Sequence, residues 1–317
     1  MSLRPTIDRR TAVAALAGAF ATPLLGRAVL GQDIPLRLAT APIDVAAQPY
    51  YALKYGFFKN AGLTNVTLET IGTGAAMAVA VAGGAIDIAV NNIVGIAQAY
   101  QRSVPFTMIA PAGLYSSAAP TSVLMVKNDS PLRTAADLNG KTLGASGLRG
   151  VAQFAPMAWV DQHGGQSSTL KFVELTSPEM LAAIPAGKVD AGLIIEPYIA
   201  EAKKTMRVFA NCFDAIAPTF IISAHFCNLP WAQAHADVVK RYAAAMQATA
   251  VWANAHHDLS AEVLIDIAHL KPDVLKTMTR SIYGEKLDAA QVQPVVDITA
   301  KYTGAPSFPA TKLIFTG

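Results

Sequence analysis

From Ile34 onward, short apolar runs alternate with longer stretches of helical periodicity. Residues 36–40, 66–71, 86–90 and 106–110 read as strands, with helices at 49–60, 74–82 and 94–101 between them. A second series starts near Val123. Strands at 123–126, 142–145, 172–175 and 191–195 alternate there with helices at 150–162, 178–186 and 197–203. Alternation of this kind predicts βαβ units and mostly parallel sheets. After a strand at 220–224 the pattern turns helical, at 231–257, 260–270, 272–282 and 288–302, with no strand between.

Two segments echo each other. AVAVAGGAIDIAV (78–90) and LAAIPAGKVDAGL (181–193) both run from a helix end through a Gly turn and an aliphatic residue to Asp and a new strand. Asp87 and Asp190 hold the same place in each. A glycine-capped helix before a strand is a common joint, so the echo alone proves little. Together with the restart of the strands after Val123, it predicts an α/β chain of two doubly wound lobes.

Open parallel sheets bind ligands beyond the carboxyl ends of their strands, which makes the loops after each strand the candidate site. Asp44, Gln48 and Tyr50 follow the first strand; Thr73 and Gly74 open the helix after the second; Asn91 and Asn92 end the third. In the second series Ser146, Arg149 and Gly150 link a strand to a helix, Ser177 stands before Pro178 at a helix start, and Glu196 and Tyr198 follow the last strand. Free N–H groups at helix starts favour anions, and an Arg offers a fixed fork for an oxyanion. Each residue also has a structural reading: Thr73 and Ser177 as helix caps, the asparagines as turn formers, the tyrosines as packing, Arg149 as a solvated charge.

Charge changes the picture at the front of the chain. The 317 residues carry a formal +3, and Arg4, Arg9, Arg10 and Arg27 against Asp8 place all of it in residues 1–31. A basic start, an uncharged stretch over 11–26 and small residues before Gln32 read as an export signal, by the Tat or the Sec route. The remaining chain is neutral, which gives it no global attraction to nucleic acid. Cys212 and Cys227, on the export side, suit either a disulfide or two buried thiols. Nucleophile-elbow, H-E-x-x-H, Walker and C-x-x-C motifs are all missing, so neither catalytic residues nor metal ligands are expected. Most of the six histidines fall in the late helices, where packing or solvation is the ordinary role.

The segment QPYYALKYGFFKNAGL (48–63) resembles the opening helix of the sulfonate/taurine/nitrate-type periplasmic solute-binding proteins, a family that includes thiamine-pyrimidine-precursor binders. Tyr50, Ala52, Gly56, Phe57, Phe58, Gly62 and Leu63 match its spine. GAIDIA (84–89), VKNDS (126–130), DLNGK (137–141), GKVDA (187–191) and EPY (196–198) are similar to further family segments, so the likeness spans residues 36–302. It implies a type II periplasmic-binding fold, with two crossover strands at 121–127 and 219–228 and a ligand cleft between the lobes. The first lobe would hold 32–122 and 225–317, and the second 123–224. The resemblance further implies a monomeric periplasmic protein without a cofactor, which captures a small molecule for the permease of an ABC importer. Around Leu148-Arg149-Gly150-Val151 and Pro42-Ile43-Asp44-Val45 the chain departs from the sulfonate binders, and a small organic anion, a carboxylate or sulfonate with an aromatic group allowed, is the expected ligand. The alternatives are an enzyme like the thiamine-pyrimidine synthases, or a ligand-sensing subunit.

Overall fold

A computed structural model describes residues 34–317; the export signal expected at 1–31 lies outside the described residues. The first half runs β1 (Leu36–Thr40), α1 (Gln48–Lys54), α2 (Phe57–Asn60), β2 (Val66–Thr70), α3 (Gly74–Ala82), β3 (Ile88–Asn92), α4 (Ile93–Gln101), β4 (Phe106–Pro111) and β5 (Gly113–Ser116). Next come β6 (Ser122–Lys127), β7 (Thr142–Ala145), α5 (Val151–Gln162), β8 (Lys171–Glu174), α6 (Ser177–Ala183), β9 (Ala191–Ile195), α7 (Ile199–Ala202) and β10 (Met206–Ala210). The chain closes with β11 (Thr219–Ile221), β12 (Ser223–Asn228), α8 (Leu229–Ala234), α9 (Ala236–Ala255), α10 (His257–Ala268), α11 (Pro272–Thr277), β13 (Ile282–Tyr283) and α12 (Ala289–Thr303).

Two five-stranded sheets share one plan. The first has the order β2-β1-β3-β12-β4 and the second β8-β7-β9-β6-β10. In each, the fourth strand alone runs antiparallel to its neighbours. That strand is the crossover: β6 carries the chain into the second sheet, and β12 brings it back to the first. The echo at Asp87 and Asp190 has the same physical content in both lobes. Asp87 Oδ2 accepts from the Arg37 N–H at the start of β1 (2.8 Å), and Asp190 Oδ2 accepts from the Thr142 N–H at the start of β7 (2.8 Å). Each aspartate returns its own N–H to the carbonyl of that residue.

Alternation along the strands fixes the layers, because successive side chains point to opposite faces. In β6, Val123 and Met125 join Met180, Ile184 and Met206 on one face, while Leu124 and Val126 face the core shared with Phe154 and Val295. In β1, Leu36 and Leu38 pack with Phe58, Tyr242 and Met246, which docks α9 on the outer face of the first sheet.

The structure revises several expected boundaries. The helix read at 49–60 is two pieces, because Gly56 adopts a left-handed φ of 77° between them. The helix at 231–257 divides before α9, and α11 stops at Thr277. The strandless late region contains β13, which pairs with β5; β5 also takes β11, forming a small third sheet.

Candidate functional site

The loops leaving β1, β7 and β9 meet the start of β6 around a cavity of about 150 Å³. Ile43, Val45, Val151, Leu193, Phe213 and Ile222 form much of its apolar wall. Asp44, Thr121, Ser122, Ser146, Glu196 and Ser281 supply the polar atoms, and no Lys, Arg or His lines it among the described residues. Both sheets therefore contribute their strand ends to one cavity, as an open α/β sheet leads one to expect.

Asp44 is fully engaged by the protein. Its Oδ2 accepts from the Ser281 N–H (2.7 Å) and Arg280 Nε (3.1 Å), and its Oδ1 accepts from Arg280 Nη2 (3.1 Å) and the Tyr51 hydroxyl (3.3 Å). The Tyr283 hydroxyl donates to the Asp44 carbonyl. Arg280 also donates to the His257 carbonyl and Ser260 Oγ. Burial lowers the Arg280 guanidinium's affinity for its proton, but the bonds and charge of Asp44 outweigh it, so the pKa stays above the ordinary value. Burial likewise raises the Tyr51 and Tyr283 hydroxyls well above the usual phenol range. The pair presents no net charge to the cavity.

Glu196 is different. Its Oε1 accepts from the Thr279 N–H (2.9 Å), while Oε2 is buried and has no partner. Burial raises the carboxyl pKa, opposed by the Thr279 N–H, the charge of Lys203 and the Ile199 N–H, and reinforced by Asp44.

The remaining sequence-derived candidates lie outside the cavity lining. Gln48 belongs to the core: its Nε2 donates to the Met246 carbonyl (2.7 Å), and its Oε1 accepts from His225 Nε2 (2.9 Å). That leaves His225 Nδ1 to accept from the Tyr242 hydroxyl (2.8 Å), which assigns a neutral Nε2–H imidazole. Burial pushes the His225 pKa down to about 3. Tyr50 exchanges a hydrogen bond with Thr70, and Thr73 caps α3. Asn91 donates to the Gly74 carbonyl and fills the space a Cβ at Gly74 would occupy; Asn92 caps α4 through the Gly95 N–H. Gly150 is the N-cap residue of α5. The cap of α6 is Thr176, in a capping box with Glu179, rather than Ser177, whose Oγ accepts from the Ile195 N–H (3.4 Å). Tyr198 packs against the Met180 and Ile199 core. Arg149 is exposed with φ 58°; its carbonyl accepts from Gln98 Nε2 (2.5 Å), and its N–H donates to Gln153 Oε1.

Of the thirteen, Asp44, Ser146 and Glu196 reach the cavity. Phe213 and Ser281 were not legible, because each arrives from a segment remote from the strand ends that the pattern marks. Cys212 and Cys227 are both buried and free, in the turn after β10 and in β12, and burial raises both thiol pKa values. Among the described residues, no three His, Cys, Asp or Glu side chains gather to hold a metal. No described helix is long and apolar enough to cross a membrane. A wider groove of about 420 Å³ runs between Pro105, Leu229, Gln233 and Phe315 on the first lobe alone, and no converging polar set marks it.

Residues 45–259 match the model of the family described as NMT1/THI5 like. No protein of curated function matches the sequence. The fold is similar to that of the periplasmic aliphatic sulphonate-binding protein SsuA of Escherichia coli, at 17% identity and a TM-score of 0.73, over 89% of this chain and 92% of that one. It is similar too to the alkanesulfonate-binding protein SsuA of Xanthomonas axonopodis pv. citri bound to MOPS (18%, TM-score 0.72, 88% and 97%). A ligand-binding component of an ABC-type import system from Staphylococcus aureus, with zinc bound, gives 13%, a TM-score of 0.73, and 88% and 96%.

Proposed function

Because the chain belongs to the NMT1/THI5-like family, and its fold is the two-lobed periplasmic-binding fold, we propose that it is an exported solute-binding protein that captures a small molecule between its lobes. One observation carries this reading: the cavity is walled by strand ends of both sheets, so a ligand there bridges the lobes and favours their closure. Asp44, Ser146 and Glu196 are the proposed contacts from the sequence-derived set. The protein works as a monomer and delivers its cargo to the permease subunits of an ABC importer. The solute-binding names of the similar structures support the same role. Capture rather than catalysis fits a pocket whose one pre-paired acid, Asp44, is held by Arg280 and whose hydroxyls have no His, Lys or Cys beside them in the lining among the described residues.

Mass spectrometry under native and denaturing conditions tests this. A small molecule that copurifies and leaves on denaturation is the expected result, together with a smaller radius of gyration when it is added back. A protein that stays the same size with every solute tried, and carries none, is not a binding protein of this kind.

A further inference from the structure

Glu196 stands out because the lobes hold one of its oxygens and leave the other without a partner. A buried carboxyl oxygen without a hydrogen bond is costly, and such groups in folded proteins call for an explanation. The Thr279 N–H fixes Oε1, so the carboxyl is oriented rather than free to turn toward water. Lys203 acts on the carboxyl from outside the cavity, and the charged side chains of the lining itself are both acids. Arg280 neutralises Asp44, no cation lines the cavity among the described residues, and the hydroxyls of Thr121, Ser122 and Ser146 donate or accept equally well. An anion placed here would meet a second acid and no positive partner, the arrangement that like charges disfavour. The space is also small and mostly apolar: a cavity of about 150 Å³ accommodates a benzene ring.

We infer that the ligand is a compact, largely apolar ring-sized molecule that presents an N–H donor to Glu196, and that Glu196 is the residue selecting it over an anion of the same shape. This deepens the solute-capture reading and rests on it. The ligand thereby supplies the partner that Oε2 lacks, and donating to a carboxylate makes the bond charge-assisted. It also reverses the sign expected from Arg149, whose side chain lies outside the cavity lining.

Benzamidine and benzoate separate the two possibilities, having the same shape with opposite charge and opposite hydrogen-bonding sense. Their affinities are to be measured by calorimetry with the full protein and with Glu196→Gln, which keeps an acceptor for the Thr279 N–H; urea midpoints of both proteins establish that the variant folds, and Glu196→Asp takes its place if it does not. Benzamidine is expected to bind at least tenfold more tightly than benzoate, and to lose at least tenfold in Glu196→Gln. Benzoate binding as tightly as benzamidine, or a preference unaltered by the substitution, overturns the inference. Where neither probe binds, the copurified molecule decides: one with an N–H donor sustains it, and a carboxylate or sulfonate lacking one overturns it. A protein that carries no molecule and keeps the same radius of gyration with every solute tried refutes solute capture itself.

Discussion

Arg280 grips Asp44 with two hydrogen bonds of 3.1 Å, and both side chains are at most 9% exposed. The bond ties the loop after β1, which walls the cavity, to the segment between α11 and β13. Removing one member of a buried pair strands the other charge, a loss of about 3–5 kcal/mol. Arg280→Met should therefore destabilise the protein by that amount in urea unfolding, and Asp44→Asn in the same chain should recover part of it. Equal stability of Arg280→Met and the parent would show that the pair contributes nothing.

His225 sets an acid limit on stability. Folded, it stays neutral down to about pH 3; unfolded, it takes a proton near the ordinary 6.5. A depressed folded pKa means that its contribution is complete above 6.5 and declines as the pH falls from there toward 3. One such group costs about 1.4 kcal/mol per pH unit within that window. Between pH 7 and pH 5 the unfolding free energy of His225→Asn should fall less than that of the parent, by about 2 kcal/mol. Parallel curves for the two proteins would rule His225 out as the source.

Gly113 supports the cavity wall from behind. A Cβ at this position would lie 2.2 Å from Val45 Cγ2 and 3.2 Å from the Val45 carbonyl oxygen. Gly113→Ala must displace Val45, at a cost of about 1–3 kcal/mol for overpacking. Ligand affinity should drop with stability, since Val45 lines the pocket. A variant with lowered stability and unchanged affinity would mean that Val45 moves away from the cavity.

Gln98 of α4 reaches across to the Arg149 carbonyl before α5, one of the hydrogen bonds that join the lobes, beside Thr279 to Glu196 and Tyr302 to Asp161. Gln98→Ala removes a contact worth about 1 kcal/mol, enough for a severalfold rise in the open population. Small-angle scattering of the ligand-free protein should report a larger radius of gyration than the parent gives. Arg149→Ala, by contrast, should leave affinity within about twofold, because only its backbone takes part in the bonds described.

Much of the fold was legible because two periods, 2 and 3.6, announce strands and helices, and because the echo at Asp87 and Asp190 marked the repeated joint. The crossovers at 121–127 and 219–228 correspond to β6 and to β11 with β12. The third sheet escaped, since β13 is two residues long and pairs with β5 across most of the chain. Within the site, position was readable and partnership was not. Asp44 stands after its strand as expected, but nothing near it in sequence reveals Arg280. Gln48 looked available because His225, 177 residues away, is invisible to local pattern. Ligand sign was not readable from local pattern, because it depends on which charges are already paired.

The placement of β12 between β3 and β4 has a consequence for how the chain must be assembled. Read from the first residue synthesised, β6 to β10 form a contiguous block, and the second sheet has all its strands once Ala210 has emerged. The first sheet begins earlier and finishes later: until Asn228 appears, β3 and β4 flank an empty lane with unpaired edges facing each other. The lobe that starts first is thus the last to close, and for some 117 residues of synthesis after β4 it is the exposed, sticky half of a nascent protein.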